Sequence, residues 1–250
     1  MQILPLTQIG EVGPGDDLAA LMIAALDAEG IVPAAGDVLV VTQKIVSKAE
    51  GRAVDLATIL PGARAIELAA ITRKHPPLIE LVLRESTDVL RAVPHVLITR
   101  HRTGHVMANA GIDRSNIGPD GADLALLLPE DADVSAEALG ARLSDHYGCP
   151  IAIVVSDSFG RPWRYGVVNV AIGASGLPAL LDRRGLPDRD GRPLEVTQIA
   201  VGDMIATAAG LVMGEGGEGI PAAVVRGYSW SAPARPAAAL VRALAEDLFR

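Results

Sequence analysis

Residues 151–166, with the sequence IAIVVSDSFGRPWRYG, contain the side chains of this chain that are best suited to chemistry. The first five are apolar and mostly β-branched, which predicts a buried strand that ends where Asp157 and Ser158 begin a Gly/Pro-containing loop. A carboxylate and a hydroxyl are hard oxygen ligands for a divalent cation, and Arg161 and Arg164 could hold an anion. The pattern predicts a site for a metal ion and phosphate, and the alternative is an Asx or Ser turn with solvated arginines.

A second segment, ANAGIDRSNIG at residues 108–118, follows a predicted strand. It places the carboxylate of Asp113 and the amide of Asn116 on one loop, behind the small residues Ala110 and Gly111. Such a loop could coordinate a metal ion and contact a nucleotide. An ordinary polar turn is the alternative interpretation, because nothing else in the segment points to a ligand.

A third segment, MGEGGEGIP at residues 213–221, interleaves four glycines with Glu215 and Glu218. Glycines allow backbone N–H groups to approach a phosphate closely, and the two carboxylates could bind a metal ion. A flexible turn that ends a helix would have the same composition. The segment therefore predicts a phosphate-binding loop only in combination with the other two.

Lys44 and Lys48 lie one turn apart on a predicted helix that follows a strand at 38–41. Lysines near a strand-to-helix junction could reach phosphates, and the dipole of the helix would add to the attraction. The chain has no G-x-x-x-x-G-K-[ST] pattern, so this junction is not a P-loop. Solvated lysines on an amphipathic helix are the alternative.

The three acidic segments indicate a common site if they converge. Asp113, Asp157 and Glu215 would then repel one another, and bringing like charges together is costly unless cations neutralise them. Convergence would therefore imply one or two divalent metal ions. With the nearby lysines and arginines, the expected occupant is a metal-bound polyphosphate.

The elements that must position these residues alternate irregularly between strands and helices. Asp16 and Asp17 are expected N-caps for a helix whose apolar face includes Leu18 and Met22. The irregular order favours one intertwined α+β unit over two domains. Strands are predicted at 2–6, 38–41, 96–99, 106–109, 151–155, 167–172 and 222–226, and further helices at 62–74, 77–86, 135–147, 204–213 and 236–249.

Two other regions are expected to lie on the surface. His101 and His105 belong to a predicted hairpin and have no third ligand nearby, so we assign them to its surface rather than to a zinc site. Residues 177–193 are turn-rich and charged, which predicts an exposed excursion of the chain.

Composition narrows the class of protein. The chain has 250 residues, a net charge of −8 and one cysteine, Cys149, which excludes an internal disulfide and suits a reducing compartment. The negative charge argues against general nucleic-acid binding. No apolar run reaches the length of a membrane span, and the N-terminal residues lack the features of a signal peptide. We therefore expect a soluble cytoplasmic protein with neither a nucleic acid nor a membrane as its partner.

Four motifs together resemble those of the coenzyme F420-0:L-glutamate ligase family. In chain order they are GDVLVVTQKIVSKAEGR, ANAGIDRSNIG, SDSFGRPWRYG and VMGEGGEGIP, and the resemblance runs from the N-terminal ILPL to VVRG. It implies an α+β fold with a mixed, largely antiparallel sheet, flanking helices and an intertwined homodimer with active sites near its interface. It also implies one ligase domain over residues 1–250, without the flavin-binding nitroreductase-like domain that follows it in actinobacterial relatives.

The resemblance implies a ligase that uses GTP to attach L-glutamate to the terminal carboxylate of coenzyme F420-0. The carboxylate would first become an acyl phosphate, and the amine of glutamate would then displace phosphate. Two divalent cations, Mg²⁺ or Mn²⁺, would neutralise the charge, with K⁺ as a further candidate cation. The rival hypotheses are a metal-dependent phosphohydrolase and a GTP-binding protein without catalysis.

The family motifs also imply roles for individual positions. Asp113, Asp157, Ser158 and Glu215 correspond to the metal ligands, and Glu218 is the reserve ligand for Glu215. Asp113, Asp157, Arg161 and Arg164 form the expected catalytic set, the arginines being assigned to phosphate or substrate carboxylate from their charge. The expected nucleotide contacts are Ile9, Gly10, Glu11, Val12, Gln43, Lys48, Asn116, Met213, Gly214, Glu215, Gly216, Gly217, Glu218, Gly219 and Ile220.

Overall fold

The computed structural model describes residues 1–115 and 123–247. Within these ranges the chain has the mixed α+β content that the sequence predicts. The strands are β1 (Gln2–Leu6), β2 (Val38–Thr42), β3 (Ala53–Asp55), β4 (Ser86–Val93), β5 (Val96–His101), β6 (Val106–Ala108), β7 (Leu124–Leu126), β8 (Ala152–Arg161), β9 (Arg164–Ser175), β10 (Leu180–Asp182), β11 (Gln198–Ala200) and β12 (Ala222–Arg226). The α-helices are α1 (Leu18–Ala28), α2 (Gln43–Ala49), α3 (Ala63–Thr72), α4 (Pro76–Arg84), α5 (Ala132–Tyr147) and α6 (Val201–Met213).

The central sheet has the strand order β1-β12-β2-β8-β9. Its pairs are antiparallel except for β2 and β8, which run parallel, so the sheet is mixed and mostly antiparallel. In the parallel register Thr42 lies opposite Ser156. The start of α2 is therefore held next to Asp157, although more than 100 residues separate them in the sequence.

Both faces of this sheet are covered by helices, which explains why β2 is apolar throughout. Leu39 and Val41 pack with α1 and α5, whereas Val38 and Val40 pack with α6 on the opposite face. Successive side chains of a strand point to opposite faces, so a strand buried on both sides needs an unbroken apolar run. The predicted cap of α1 is confirmed, because Asp17 Oδ1 accepts a hydrogen bond from Ala20 N at 3.1 Å.

A third apolar core lies beside the central sheet. It is formed by α3 and α4 together with the pair β3–β7 and the three-stranded sheet β4-β5-β6. Strand β4 was absent from the sequence prediction, which continued the preceding helix to residue 86, whereas α4 ends at Arg84. The loop that carries Asp113 follows β6, and Asp113 forms a bridge with Leu126 of β7.

The predicted end of the apolar strand at residue 155 was wrong. Strand β8 continues to Arg161 and forms a long hairpin with β9, in which Asp157 lies opposite Val170 and Ser158 opposite Asn169. A register shift after Val155 marks the point where the side chains change from apolar to polar. The polar residues stay in the strand because β9, itself longer than the predicted 167–172, supplies their backbone hydrogen bonds.

The predicted C-terminal helix at 236–249 was also wrong. Two short 3₁₀ helices, Ala237–Leu240 and Leu244–Glu246, occupy its described part. The alanine-rich sequence favours a helix, but helix propensity is weak and tertiary contacts override it. Here Asp133 accepts hydrogen bonds from Ala237 N at 2.8 Å and Ala238 N at 3.0 Å, and Arg100 pairs with Asp247 at 3.0 Å.

The surface assignment was wrong for His101, which is only 1% exposed. Its Nδ1 lies 2.7 Å from Thr103 Oγ1, and its Nε2 lies 3.5 Å from Glu85 Oε2. His105 is half-buried, and burial together with the nearby His101 lowers its pKa to about 4. The hairpin therefore contributes one buried histidine, His101, and one half-buried histidine, His105.

The excursion at 177–193 is exposed from residue 183 onwards, but Leu177 and Ala179 are fully buried against α6. Of the helices that the structure describes, none is both long and apolar enough to pass through a bilayer.

Candidate active site

A cleft with a volume of about 630 Å³ opens where β2 ends beside the middle of β8. Its lining comes from several separate parts of the chain. They include residues 9–12 and 42–45, the loop at 213–221, Asp113 and Asp157. The cleft therefore brings together the three acidic segments and the two lysines that the sequence analysis identified.

The structure places nearly all the predicted site residues in this cleft. The lining includes Ile9, Gly10, Glu11, Val12, Gln43, Lys48, Asp113, Asp157, Ser158, Met213, Gly214, Glu215, Gly216, Gly217, Glu218, Gly219 and Ile220. Asn116 lies outside the described residues.

Arg161 and Arg164 do not line the cleft. They lie at the far end of the β8–β9 hairpin, where Arg161 Nη2 donates to the carbonyl oxygen of Tyr165 at 3.0 Å. Arg164 is exposed. The expectation that they lie at the end of a strand beside the metal ligands assumed that β8 ends near Ser156. Because β8 continues, the hairpin carries both arginines away from Asp157.

Asp157 is the electrostatic centre of the site. Its Oδ1 accepts a hydrogen bond from Ser158 N at 2.9 Å. Burial, together with the nearby carboxylates of Asp113 and Glu215, raises the pKa of Asp157 to about 7, although the hydrogen bond from Ser158 N and the ammonium of Lys44 lower it. Asp113 and Glu215 are thus close enough to Asp157 to repel its carboxylate, which a bound cation would relieve.

Asp113 is held by a full set of donors. Its backbone forms a two-way bridge with Leu126, with N···O distances of 3.0 and 2.8 Å. Its Oδ1 accepts from Ser115 N at 2.7 Å and Ser115 Oγ at 2.8 Å, and its Oδ2 lies 2.7 Å from Lys44 Nζ. Burial raises the pKa of Asp113, but the contacts with Lys44 and Ser115 outweigh burial, and the pKa falls below its usual range.

The turn before Asp113 has an uncommon backbone. Asn109, Ala110 and Gly111 all have positive φ angles, of 52°, 53° and 71°. A Cβ on Gly111 would lie 2.6 Å from Met107 Sδ, so only glycine fits this position. Lys74 Nζ donates to Asn109 Oδ1 at 2.7 Å and supports the turn from α3's C-terminal side. Left-handed backbone in non-glycine residues is uncommon and is concentrated at functional sites.

The glycine-rich loop separates the two glutamates. Glu218 folds back so that its Oε2 accepts from Gly216 N at 2.7 Å, and it fills the space where a Cβ on Gly214 would stand. Gly214 has a φ of 74°, so its conformation also favours glycine. Glu215 instead acts on Asp157 electrostatically. This arrangement favours Glu215 over Glu218 as the glutamate that faces the other carboxylates.

The side chains of α2 are held by specific partners. Gln43 is buried and its Oε1 accepts from Ser47 Oγ at 3.0 Å. Lys48 Nζ lies 3.1 Å from Glu11 Oε2, which joins α2 to the segment 9–12. Both residues therefore contribute to the wall that the sequence analysis assigned to a nucleotide.

The donor atoms of the cleft fit a hard divalent cation. Asp113, Asp157 and Glu215 provide carboxylates and Ser158 a hydroxyl, which are the oxygen ligands that Mg²⁺ and Mn²⁺ prefer. Among residues 1–115 and 123–247, no three His, Cys, Asp or Glu side chains are arranged closely enough to hold a metal ion by themselves. The fit therefore rests on the chemistry of the donors and on the mutual repulsion that raises the pKa of Asp157.

Four polar residues of the cleft were missed by the sequence analysis, namely Thr42, Ser115, Ser156 and Asn169. Asn169 could have been selected from the sequence, because it is an amide in the middle of the apolar run VVNVAI. In the structure it is only 8% exposed. Gly210 of α6 allows it to fit, since a Cβ there would lie 2.6 Å from Asn169 Oδ1.

Comparison with known proteins gives a consistent result. The model of the family F420-0:Gamma-glutamyl ligase matches residues 7–227. The chain is 46% identical to the coenzyme F420:L-glutamate ligase of Methanothermobacter thermautotrophicus, over 88% of this chain and 86% of that protein. The protein of the same name from Methanopyrus kandleri is 43% identical, over 100% of this chain and 98% of that protein. The one from Natronomonas pharaonis is 49% identical, over 92% of this chain and 87% of that protein.

Proposed function

The chain belongs to the F420-0:gamma-glutamyl ligase family, and from this premise we propose that it is a GTP-dependent ligase that adds L-glutamate to coenzyme F420-0. The product would be γ-glutamylated F420, formed through an acyl phosphate. The observation that carries this proposal is the single cleft in which the carboxylates of Asp113, Asp157 and Glu215 face a glycine-rich loop. This is the combination that metal-bound polyphosphate requires.

Asp113, Asp157, Ser158 and Glu215 are the residues that would hold two divalent cations, Mg²⁺ or Mn²⁺, with K⁺ as a further candidate. Bound cations would neutralise the phosphate oxygens and allow charge to build up during transfer. The mutual repulsion of the carboxylates supports this assignment, because it favours a cation in the cleft.

The nucleotide would lie between the segment 9–12 and the glycine-rich loop, with Lys48 beside its phosphates. The loop offers backbone N–H groups at Gly217 and Gly219, where no atom would meet an added Cβ within 4 Å, so a phosphate could approach the backbone. The volume of about 630 Å³ is typical of a small-molecule site.

The reaction needs two substitutions. A carboxylate oxygen of F420-0 bonds to the γ-phosphorus of GTP while the bond to the β–γ bridging oxygen breaks and GDP leaves. The amine nitrogen of glutamate then bonds to the acyl carbon, phosphate leaves with the C–O bond pair, and the nitrogen loses a proton. Among the described residues, the cleft contains carboxylates, lysines, amides and hydroxyls but no His or Cys, so its serines lack the histidine base that commonly activates a nucleophile. These groups bind and orient the reactants.

The test is to incubate purified protein with GTP, L-glutamate and Mg²⁺ or Mn²⁺, with and without F420-0, and to follow GDP and product mass. We expect GDP release only with F420-0, and a mass increase by one or more glutamyl units. GTP hydrolysis without F420-0 would instead support a phosphohydrolase. Binding of GTP without any turnover would support a non-catalytic GTP-binding protein.

We further propose that the protein forms a homodimer through the tip of the β8–β9 hairpin. Trp163 is 84% exposed there, and Tyr165 is fully exposed beside it. Adjacent exposed aromatic side chains are enriched at protein interfaces. Because the same hairpin carries Asp157 and Ser158, an interface at its tip would place the cleft near the partner subunit.

The double substitution Trp163→Ser and Tyr165→Ser is expected to weaken the dimer about 100-fold, because buried aromatic anchors dominate interface energy. The measurement is molar mass by light scattering across a dilution series. Leu60→Ser is the control, since Leu60 is equally exposed, at 84%, but belongs to the outer layer. A monomeric wild-type protein, or a double variant that remains dimeric, would contradict the proposal.

A further inference from the structure

The ammonium of Lys44 sits in a cage of oxygens. Its Nζ lies 2.7 Å from Asp113 Oδ2, 3.1 Å from the carbonyl oxygen of Ser115 and 3.2 Å from Ser115 Oγ. The side chains of Lys44 and Asp113 are only 23% and 29% exposed. Three oxygens at these distances around one cation are more than a solvated surface lysine acquires, so the contact is a built feature of the cleft.

The same contact occupies much of the acceptor capacity of Asp113, because an ionised carboxylate has about four acceptor positions. Its Oδ2 faces Lys44, and its Oδ1 already accepts two hydrogen bonds from Ser115. A divalent cation binds a carboxylate oxygen at roughly 2.0–2.6 Å. It would have to share Asp113 with an ammonium within a few ångströms, and two cations so close repel each other. Lys44 and a metal ion are therefore alternative partners of this carboxylate.

We propose that Lys44 is a positioning residue that competes with a divalent cation for Asp113 when no nucleotide is bound. It holds the carboxylate in place and disfavours a free metal ion. A metal ion that arrives with a polyphosphate overcomes this competition, because the phosphate oxygens offer the ammonium another partner. The inference rests on the proposed function, because it assumes the metal site. It goes beyond that function in the role that it assigns to Lys44.

Competition makes metal and nucleotide binding interdependent. If the nucleotide withdraws Lys44 from Asp113, it must strengthen metal binding, and by linkage the metal ion must strengthen nucleotide binding by the same factor. The wild-type protein is therefore expected to bind Mn²⁺ weakly by itself and far more tightly with a nucleotide present.

The test is to titrate Mn²⁺ into the full chain without nucleotide and to follow free Mn²⁺ by electron paramagnetic resonance at pH 8.5. We expect Lys44→Met to bind Mn²⁺ about tenfold more tightly than wild type, since a neutral side chain of similar length removes a contacting positive charge. Lys44→Arg keeps the charge and is expected to bind Mn²⁺ as weakly as wild type. This second variant also tests whether position 44 tolerates substitution.

Lys48→Met is the matched control. It removes an equal charge from the same helix and cleft, but its ammonium contacts Glu11 rather than Asp113. Its effect on Mn²⁺ affinity is expected to be about twofold, as for a screened charge at longer range. Equal gains in Mn²⁺ affinity for Lys44→Met and Lys48→Met would show that only the net charge of the cleft matters, and would overturn the proposal. So would an unchanged or weaker Mn²⁺ affinity of Lys44→Met.

These outcomes are separate from the test of the proposed function. Mn²⁺ titration requires neither GTP nor F420-0, so the competition can hold in a protein that forms no glutamylated product. Conversely, a wild-type protein that forms product while Lys44→Met shows no gain in Mn²⁺ affinity would leave the ligase standing and remove the role of Lys44.

Discussion

Replacing Asp157 with asparagine is expected to abolish ligation and, at the same time, to stabilise the metal-free protein at pH 8. Burial and two neighbouring carboxylates raise the pKa of Asp157 to about 7 from an ordinary value of 3.8. Between these two values the folded state binds more protons than the unfolded state, so the free energy of unfolding falls as the pH rises. Above pH 7 the full cost of the charged carboxylate is present.

Asparagine is uncharged, so it avoids the free-energy cost of burying the charged carboxylate of Asp157. A difference of about three pKa units corresponds to at most about 4 kcal/mol, and because Asp157 keeps part of its exposure we expect a gain of about 2 kcal/mol at pH 8. The gain should grow between pH 4 and pH 7 and then stay constant. Activity should fall by about 10³-fold, because a neutral amide cannot replace a charged ligand of the phosphate-bound cations.

The measurement is denaturant unfolding with a chelator present, at pH 4.5 and pH 8, together with the product-mass assay. Asp145→Asn is the control, since it removes one carboxylate from the exposed face of α5. It should change neither activity nor the pH dependence of stability. A destabilised Asp157→Asn at pH 8, or one that glutamylates F420-0 at close to the wild-type rate, would show that the carboxylates do not converge as described.

Gly173→Ala should be the most damaging single methyl group that can be added to the central sheet. A Cβ at this position of β9 would lie 2.1 Å from the carbonyl oxygen of Ala132 and 2.8 Å from its Cβ. Ala132 is the first residue of α5, so the methyl group meets helix backbone rather than a side chain that could rotate away. We expect a loss of at least about 3 kcal/mol, with little folded protein recovered.

Gly160→Ala is the matched control on the same hairpin, because no atom lies within 4 Å of its added Cβ. We expect a change below about 1 kcal/mol there. The measurement is the free energy of unfolding in urea for both variants. If Gly173→Ala kept wild-type stability, α5 could not pack against β9 as closely as the structure has it.

The Gly173→Ala substitution is expected to disturb the cleft as well, because α5 and β9 are also joined by hydrogen bonds. Asp133 Oδ1 accepts from Ala174 N at 2.7 Å, next to the substituted glycine. Displacing α5 would break this bond and shift β9, whose Asn169 lines the cleft. Gly173→Ala should therefore lose activity together with stability, unlike Asp157→Asn.

The local sequence was sufficient to select the acidic residues that the structure brings together in one cleft. Asp113, Asp157 and Glu215 could be selected because each combines a carboxylate with small or glycine residues, and their motifs occur in the order of a known family. The cap of α1 at Asp17 and the apolar run of β2 were likewise readable from the sequence, because capping and burial on both faces depend on the residues of the element itself. These features are encoded within a few neighbouring residues.

Only the tertiary structure decided how far those elements extend and which groups meet. The polar half of β8 is a strand because β9 pairs with it, and the same pairing carries Arg161 away from Asp157. The contact between Lys44 and Asp113 depends on the bridge between Asp113 and Leu126 and on the left-handed turn after β6. Lys44 and Ser115 are 71 positions apart, and the β8–β9 hairpin pairs Ile153 with Ser175, whereas propensity and periodicity report only on near neighbours.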